Sequence, residues 1–249
     1  MGPARRHPTP PRFLLSLSAL LLLGILAGCE GTNLFEDPVT EPPPEAPGDE
    51  EPEDPDLLRY IEEGTLIGRD GDRLRFRWET HDPLRIHYWN DTPQGERAAV
   101  DRALEAIAVD GMPATFTVDT DGDIVVRTLP PEEYREVDPT RPWSHSRTFV
   151  TANESEGITE VEIWISRELD QPTLERAALH AIGHAFGIMG HPSFPGDRYV
   201  MAARPEEDDA PPVTFAPLER DAFRFLYSPE VQVGMTPDEL REAFARWTP

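Results

Sequence analysis

The chain contains no lysine, only one cysteine, and no cluster of cations in its acidic body. All 23 positive side chains are arginine, set against 47 acids for a formal net charge of −24. Phosphate backbones are bound by clustered cations, so this balance argues against nucleic acid as a partner. The lone thiol, Cys29, excludes an intramolecular disulfide. No internal repeat is visible. No apolar run is long enough to cross a bilayer comfortably, the longest being Phe13–Leu26. With 28 prolines and 17 glycines in 249 residues, part of the chain is tail. The remainder suffices for one domain with a real core.

What is present begins with a targeting segment. Arg5, Arg6 and Arg12 precede the apolar stretch, which ends in Leu26-Ala27-Gly28-Cys29. That tetrapeptide resembles the lipobox of bacterial lipoproteins, in which the signal is cut before the cysteine and the cysteine is lipidated. An ordinary signal peptide or a short membrane anchor is the alternative. The resemblance implies residues 1–28 as signal peptide and a lipid anchor on Cys29. It places the protein at the cell envelope, facing the periplasm or cell exterior. Residues 29–58 are acidic and proline-rich, too poor in apolar surface to fold, and read as a polyproline II tether or as disordered filler.

The organising stretch is Leu179–His191, LHAIGHAFGIMGH. His180 and His184 stand four apart, which on a helix stacks both imidazoles on one face. Gly187 suits a helix end in a left-handed conformation. His191 follows the break, where the returning chain can bring a third imidazole to the same point. Three neutral histidines from a helix and its following loop describe an open zinc site with a fourth position left over.

Around this stretch the periodicities predict a short helix at Leu57–Glu63 and two strands around Asp70-Gly71 within Thr65–Trp78. A strand at Leu84–Trp89 and a helix at Glu96–Ala108 follow. Strands at Thr115–Val118 and Ile124–Arg127 flank an aspartate run, Asp119–Asp123. That run permits a calcium reading, but Pro130 stands where a twelve-residue calcium loop needs Glu, and a plain turn explains it as well. Pro130–Pro142 reads as irregular, Trp143–Thr151 as an edge strand and Ile158–Ser166 as a half-buried strand. Asp170 or Thr173 caps the histidine helix. Pro217–Tyr227 and Asp238–Trp247 complete the helices.

The pattern His180-x3-His184-x2-Gly187-x3-His191, followed by Met201, resembles the metzincin zinc peptidases, and most of all bacterial matrixin-type domains. LRIHYW, DGDIVVR, VEIWIS and PLERDAFRFLY support the likeness from about Arg73 to Tyr227. The resemblance implies an α+β fold: a twisted, mostly parallel sheet of four to five strands and two long helices. The zinc site lies at the end of the second helix, and a C-terminal helix follows a Met-turn. It implies residues 59–228 as the metallopeptidase domain and 229–249 as a helical tail. It assigns zinc to His180, His184 and His191, the helix-ending glycine to Gly187 and the Met-turn to Met201. It also implies an extended peptide or protein substrate added along Ile158–Ser166.

Two departures qualify the implied chemistry. One extra residue, as if Met189 were inserted, separates Gly187 from His191. Ala181 stands where the family has its general-base Glu, and a methyl neither takes nor returns a proton. Glu175 lies too far around the helix to substitute, while His145 and Asp197 are unsupported alternatives. Relatives that hold a cysteine thiol on zinc for latency find no counterpart here, because Cys29 is the only thiol. Two functions follow: a zinc endopeptidase impaired in its base, or a non-catalytic pseudopeptidase that holds peptide or a partner protein. A third reading is an envelope lipoprotein whose histidines bind no metal.

Overall fold

The computed structural model describes residues 55–66, 74, 76–79, 83–89, 92–108, 116–118, 122–137, 145–153, 157–194, 199–201 and 214–247. Cys29, the tether before Pro55, Asp119, Asp121 and Asp197 lie outside them. The elements run α1 (Pro55–Thr65), β1 (Leu84–Tyr88), α2 (Gln94–Ile107), β2 (Phe116–Val118), β3 (Ile124–Leu129) and α3 (Pro131–Val137). They continue with β4 (Ser146–Asn153), β5 (Gly157–Ser166), α4 (Gln171–Ala185), α5 (Pro217–Leu226) and α6 (Pro237–Arg246).

The five strands form one sheet in the order β2-β1-β3-β5-β4. The first four are mutually parallel and β4 returns antiparallel on β5. This is an α+β architecture with a mostly parallel open sheet. Alternation decides the faces. Ile86, Ile124, Val126, Val161, Ile163 and Ile165 point inward and are almost fully buried. Over them lie α2 and α4, the two longest helices, packed on each other. Their apolar stripes, Ala99, Val100, Ala103, Leu104 and Ile107 on α2 and Leu174, Ala178 and Ile182 on α4, complete the core. The other face is polar and aromatic, with Arg127 lying 3.8 Å over the Trp89 ring and Phe149 edge-on to Trp164 at 4.8 Å. β2 and β3 flank β1 on opposite sides. Gly122, just before β3, lies tight against β1, where a Cβ would come within 2.4 Å of the His87 backbone nitrogen.

Both ends of the described chain meet beside the sheet. α1 packs on α5 and α6, and Phe244 and Trp247 close edge-on over Phe225.

Four sequence expectations need correction. Ile158–Ser166 is the half-buried strand expected, but the strand addition that the resemblance implied along it has no edge to use: β5 lies between β3 and β4, and among the described residues the outer strand beside α4 is β4, the edge expected at Trp143–Thr151. The strand expected from Thr65 does not begin there, because Thr65 closes α1, its hydroxyl donating to Ile61 O. Among the described residues of that stretch Trp78 makes a bridge to Gly157, and the expected turn at Asp70-Gly71 lies outside the described residues. α1 itself starts at Pro55 and buries Leu57, Tyr60 and Ile61. Pro130–Pro142 contains a helix, α3, opened by Pro131, which fits a first helical turn where no amide donor is needed.

Candidate metal centre

α4 starts cleanly. Asp170 accepts the Thr173 amide at 2.9 Å, and Pro172 sits in the first turn. Its end is equally specified. The Gly187 amide donates to His184 O at 3.0 Å and the Ile188 amide to Gly183 O at 3.2 Å, the paired closure of a Schellman motif. Gly187 has φ of 104°, and a Cβ there would stand 2.0 Å from Phe76 O, so only glycine fits. The chain then turns back and delivers His191.

The three rings converge. His184 Nε2 lies 3.0 Å, and His191 Nε2 3.2 Å, from His180 Nε2. The candidate ligand atoms all fall within 4.8 Å of one another. Three nitrogens bound tetrahedrally at usual zinc distances stand about 3.3 Å apart. The tautomers are set from behind. His180 Nδ1 donates to Val200 O at 2.9 Å and His184 Nδ1 to Ile188 O at 2.7 Å, since a carbonyl can only accept. Both Nε2 atoms therefore carry lone pairs, facing each other at 3.0 Å. Such opposed lone pairs repel unless a cation lies between them, and the donor set fits zinc. Burial is the main cause that lowers the pKa of both rings, with the neighbouring imidazoles adding to the effect at His184. That keeps both neutral, the form a metal requires.

Beneath the rings, Met201 is fully buried against α4. Gly183 makes room for it, since a Cβ there would lie 2.3 Å from the Met201 sulfur. Glu219 holds the turn in place. One carboxylate oxygen accepts the Met201 amide at 2.8 Å and the Tyr60 hydroxyl at 3.0 Å, and the other accepts the Ala216 amide at 2.9 Å. This fully buried carboxyl has its pKa raised, chiefly by burial. The sequence reading missed both Glu219 and Tyr60. A signal existed: Glu219 shares the spacing of Ala222, Phe223 and Leu226, so it is an acid on the buried stripe of α5.

The expected site residues are accounted for individually. His180, His184 and His191 come together, and Gly187 ends the helix. Ala181 is 1% exposed, where α4 meets β4, and its carbonyl accepts the Thr148 hydroxyl at 3.2 Å. Among the described residues the cluster holds three imidazoles and no carboxylate. Glu175 pairs with Arg102 at 2.9 Å and also accepts from Gln171. His145 stands near the start of α4, its carbonyl bonded to the Ser166 amide and its charge coupled to Asp170, at the far end of the helix from His184. In the aspartate run, Asp123 is committed to Arg85 at 2.7 Å, and Asp119 and Asp121 are outside the described residues. In the longer loop after Gly187, Ile188 supplies the carbonyl behind His184 and Met189, the extra residue, is buried.

No protein-family model and no curated protein sequence matches the chain.

Proposed function

We propose that this chain is a zinc protein of the metzincin, matrixin-like kind whose cleft holds an extended peptide while hydrolysing it poorly. The observation that carries the reading is the pair of opposed Nε2 atoms on His180 and His184, each with its Nδ1 proton committed to a backbone carbonyl. His191 completes the three-nitrogen set. Zinc held there supplies a Lewis acid toward a peptide carbonyl.

The chain's own residues set the limits of that chemistry. Ala181 offers no atom that accepts a proton from water or returns one to a leaving amine. Glu175 is engaged with Arg102 and Glu219 with the Met201 turn. A missing positioned base lowers the rate by roughly 10²–10⁴. What remains is recognition. β4 presents an outer edge beside α4, and an added strand there draws on main-chain hydrogen bonds independent of Ala181. Cys29 as a lipid anchor would carry the domain at the cell envelope.

The test compares the wild type with Ala181→Glu on a mixed peptide library, each loaded with one equivalent of zinc. The expected result is cleavage at least a hundredfold faster in Ala181→Glu, with peptide binding retained in both. A wild type that cleaves as fast as Ala181→Glu would reveal another base and end the pseudopeptidase reading. A wild type that takes up no zinc would end the metal reading altogether.

A further inference from the structure

α4 carries two of the three ligands, and the third, His191, rides on the loop that follows the helix. α1 makes contacts with this loop on both sides of that ligand. The Gly190 amide donates to Gly64 O at 2.9 Å. The Ser193 amide donates to a Glu63 carboxylate oxygen at 2.6 Å. Arg59, itself 3.4 Å from Glu63, lies 4.2 Å over the Phe194 ring. Tyr60 packs on Phe194 and Tyr199 and reaches Glu219 beneath the Met201 turn. Gly64 allows the approach: a Cβ there would already stand 3.0 Å from the Ile188 side chain.

We infer that α1 is a strap that positions the third ligand, with Glu63 and Tyr60 as positioning residues for His191 and the Met201 turn. This rests on the reading that the three imidazoles bind metal. The geometry is specific. The two amides bonded to α1, those of Gly190 and Ser193, bracket His191 in the chain. Each bond therefore restrains the backbone on one side of the ligand. Release of α1 leaves the His180–His184 pair intact on its helix and loosens the backbone on both sides of the third ligand. The expected consequence is a switch between three protein ligands and two, controlled by the segment that joins the domain to its N-terminal tail.

The experiment uses the full chain and three variants. Glu63→Ala removes the acceptor for the Ser193 amide, and Glu63→Gln keeps an oxygen that can accept it. Glu62→Ala is the control: it breaks an exposed ion pair of the same helix, at 2.6 Å to Arg241 on α6, away from the loop. Zinc release to a chelator is timed, the cobalt-substituted absorption spectrum is recorded, and amide exchange at Gly190 is followed without metal. The strap predicts zinc release about tenfold faster in Glu63→Ala, with an altered cobalt spectrum and faster Gly190 exchange. It predicts rescue to within about twofold by Glu63→Gln and no change in Glu62→Ala. Equal release from wild type and Glu63→Ala, or equal acceleration by Glu62→Ala, would overturn it. Failure of the wild type to bind zinc would overturn the metal reading and the switch, whereas the Gly190 exchange, measured without metal, separately decides whether α1 holds the loop.

Discussion

Glu219 is a buried carboxyl that accepts hydrogen bonds from Met201, Ala216 and Tyr60 and from the Val200 backbone. Removing it leaves those donors unsatisfied away from water, at a cost of about 1–3 kcal/mol for each buried group so exposed. Glu219→Ala should therefore lower unfolding free energy by about 3 kcal/mol or more in a urea titration. It should also weaken zinc, because the turn it holds supplies the Val200 carbonyl behind His180. The histidines make a second prediction at this scale. Their folded pKa values lie below the ordinary 6.5, mainly through burial. Below about pH 6.5 the unfolded chain takes up protons at these positions and the folded chain does not. Their contribution to stability is thus present above that pH and lost as pH falls toward the depressed values. Melting temperatures of the metal-free protein from pH 7.5 to 5 should decline, and His184→Gln should flatten the slope.

At the scale of elements, α4 is specified at both ends, and so it was legible. Asp170, Pro172, the apolar stripe and Gly187 are local signals, and each does in space what its spacing suggests. Gly187→Ala should cost about 2 kcal/mol or more, since φ of 104° is strained for any side chain and the Phe76 carbonyl blocks the Cβ. Chemical denaturation of the metal-free variant checks it, and its His184 ring should lose the Ile188 carbonyl, visible as a changed imidazole nitrogen shift. Strand order was legible only in part. β4 was expected at an edge and lies there, but the neighbours of β5 are set by pairing across more than thirty residues of chain, β3 with β5, which no local pattern carries. α3 was hidden for a different reason. Pro130 and Pro131 read as breakers, yet a proline inside the first turn opens a helix as readily as two prolines end one.

For the whole molecule, the three-histidine cluster was readable because its members lie within twelve residues of chain. Its supports were not, because they arrive from both termini. Tyr60 and Glu219 are 159 residues apart in sequence and hydrogen-bonded in the fold. α6 closes over α5 and α1 beside them, where Arg241 reaches Glu62. Contacts of such separation form late, since loop closure must precede any reward from them. In stopped-flow refolding, the burial of aromatic side chains should therefore come before stoichiometric zinc protection from a chromophoric chelator. Simultaneous appearance of both signals would contradict that order.

The junction of Tyr60 with Glu219 also sets a clock for the nascent chain. A ribosome-bound fragment that stops short of residue 219 already owns all three imidazoles, yet lacks the carboxylate under the Met201 turn. If the cluster binds zinc as proposed, such a fragment should release it quickly, and tight retention should come only when synthesis of α5 is complete.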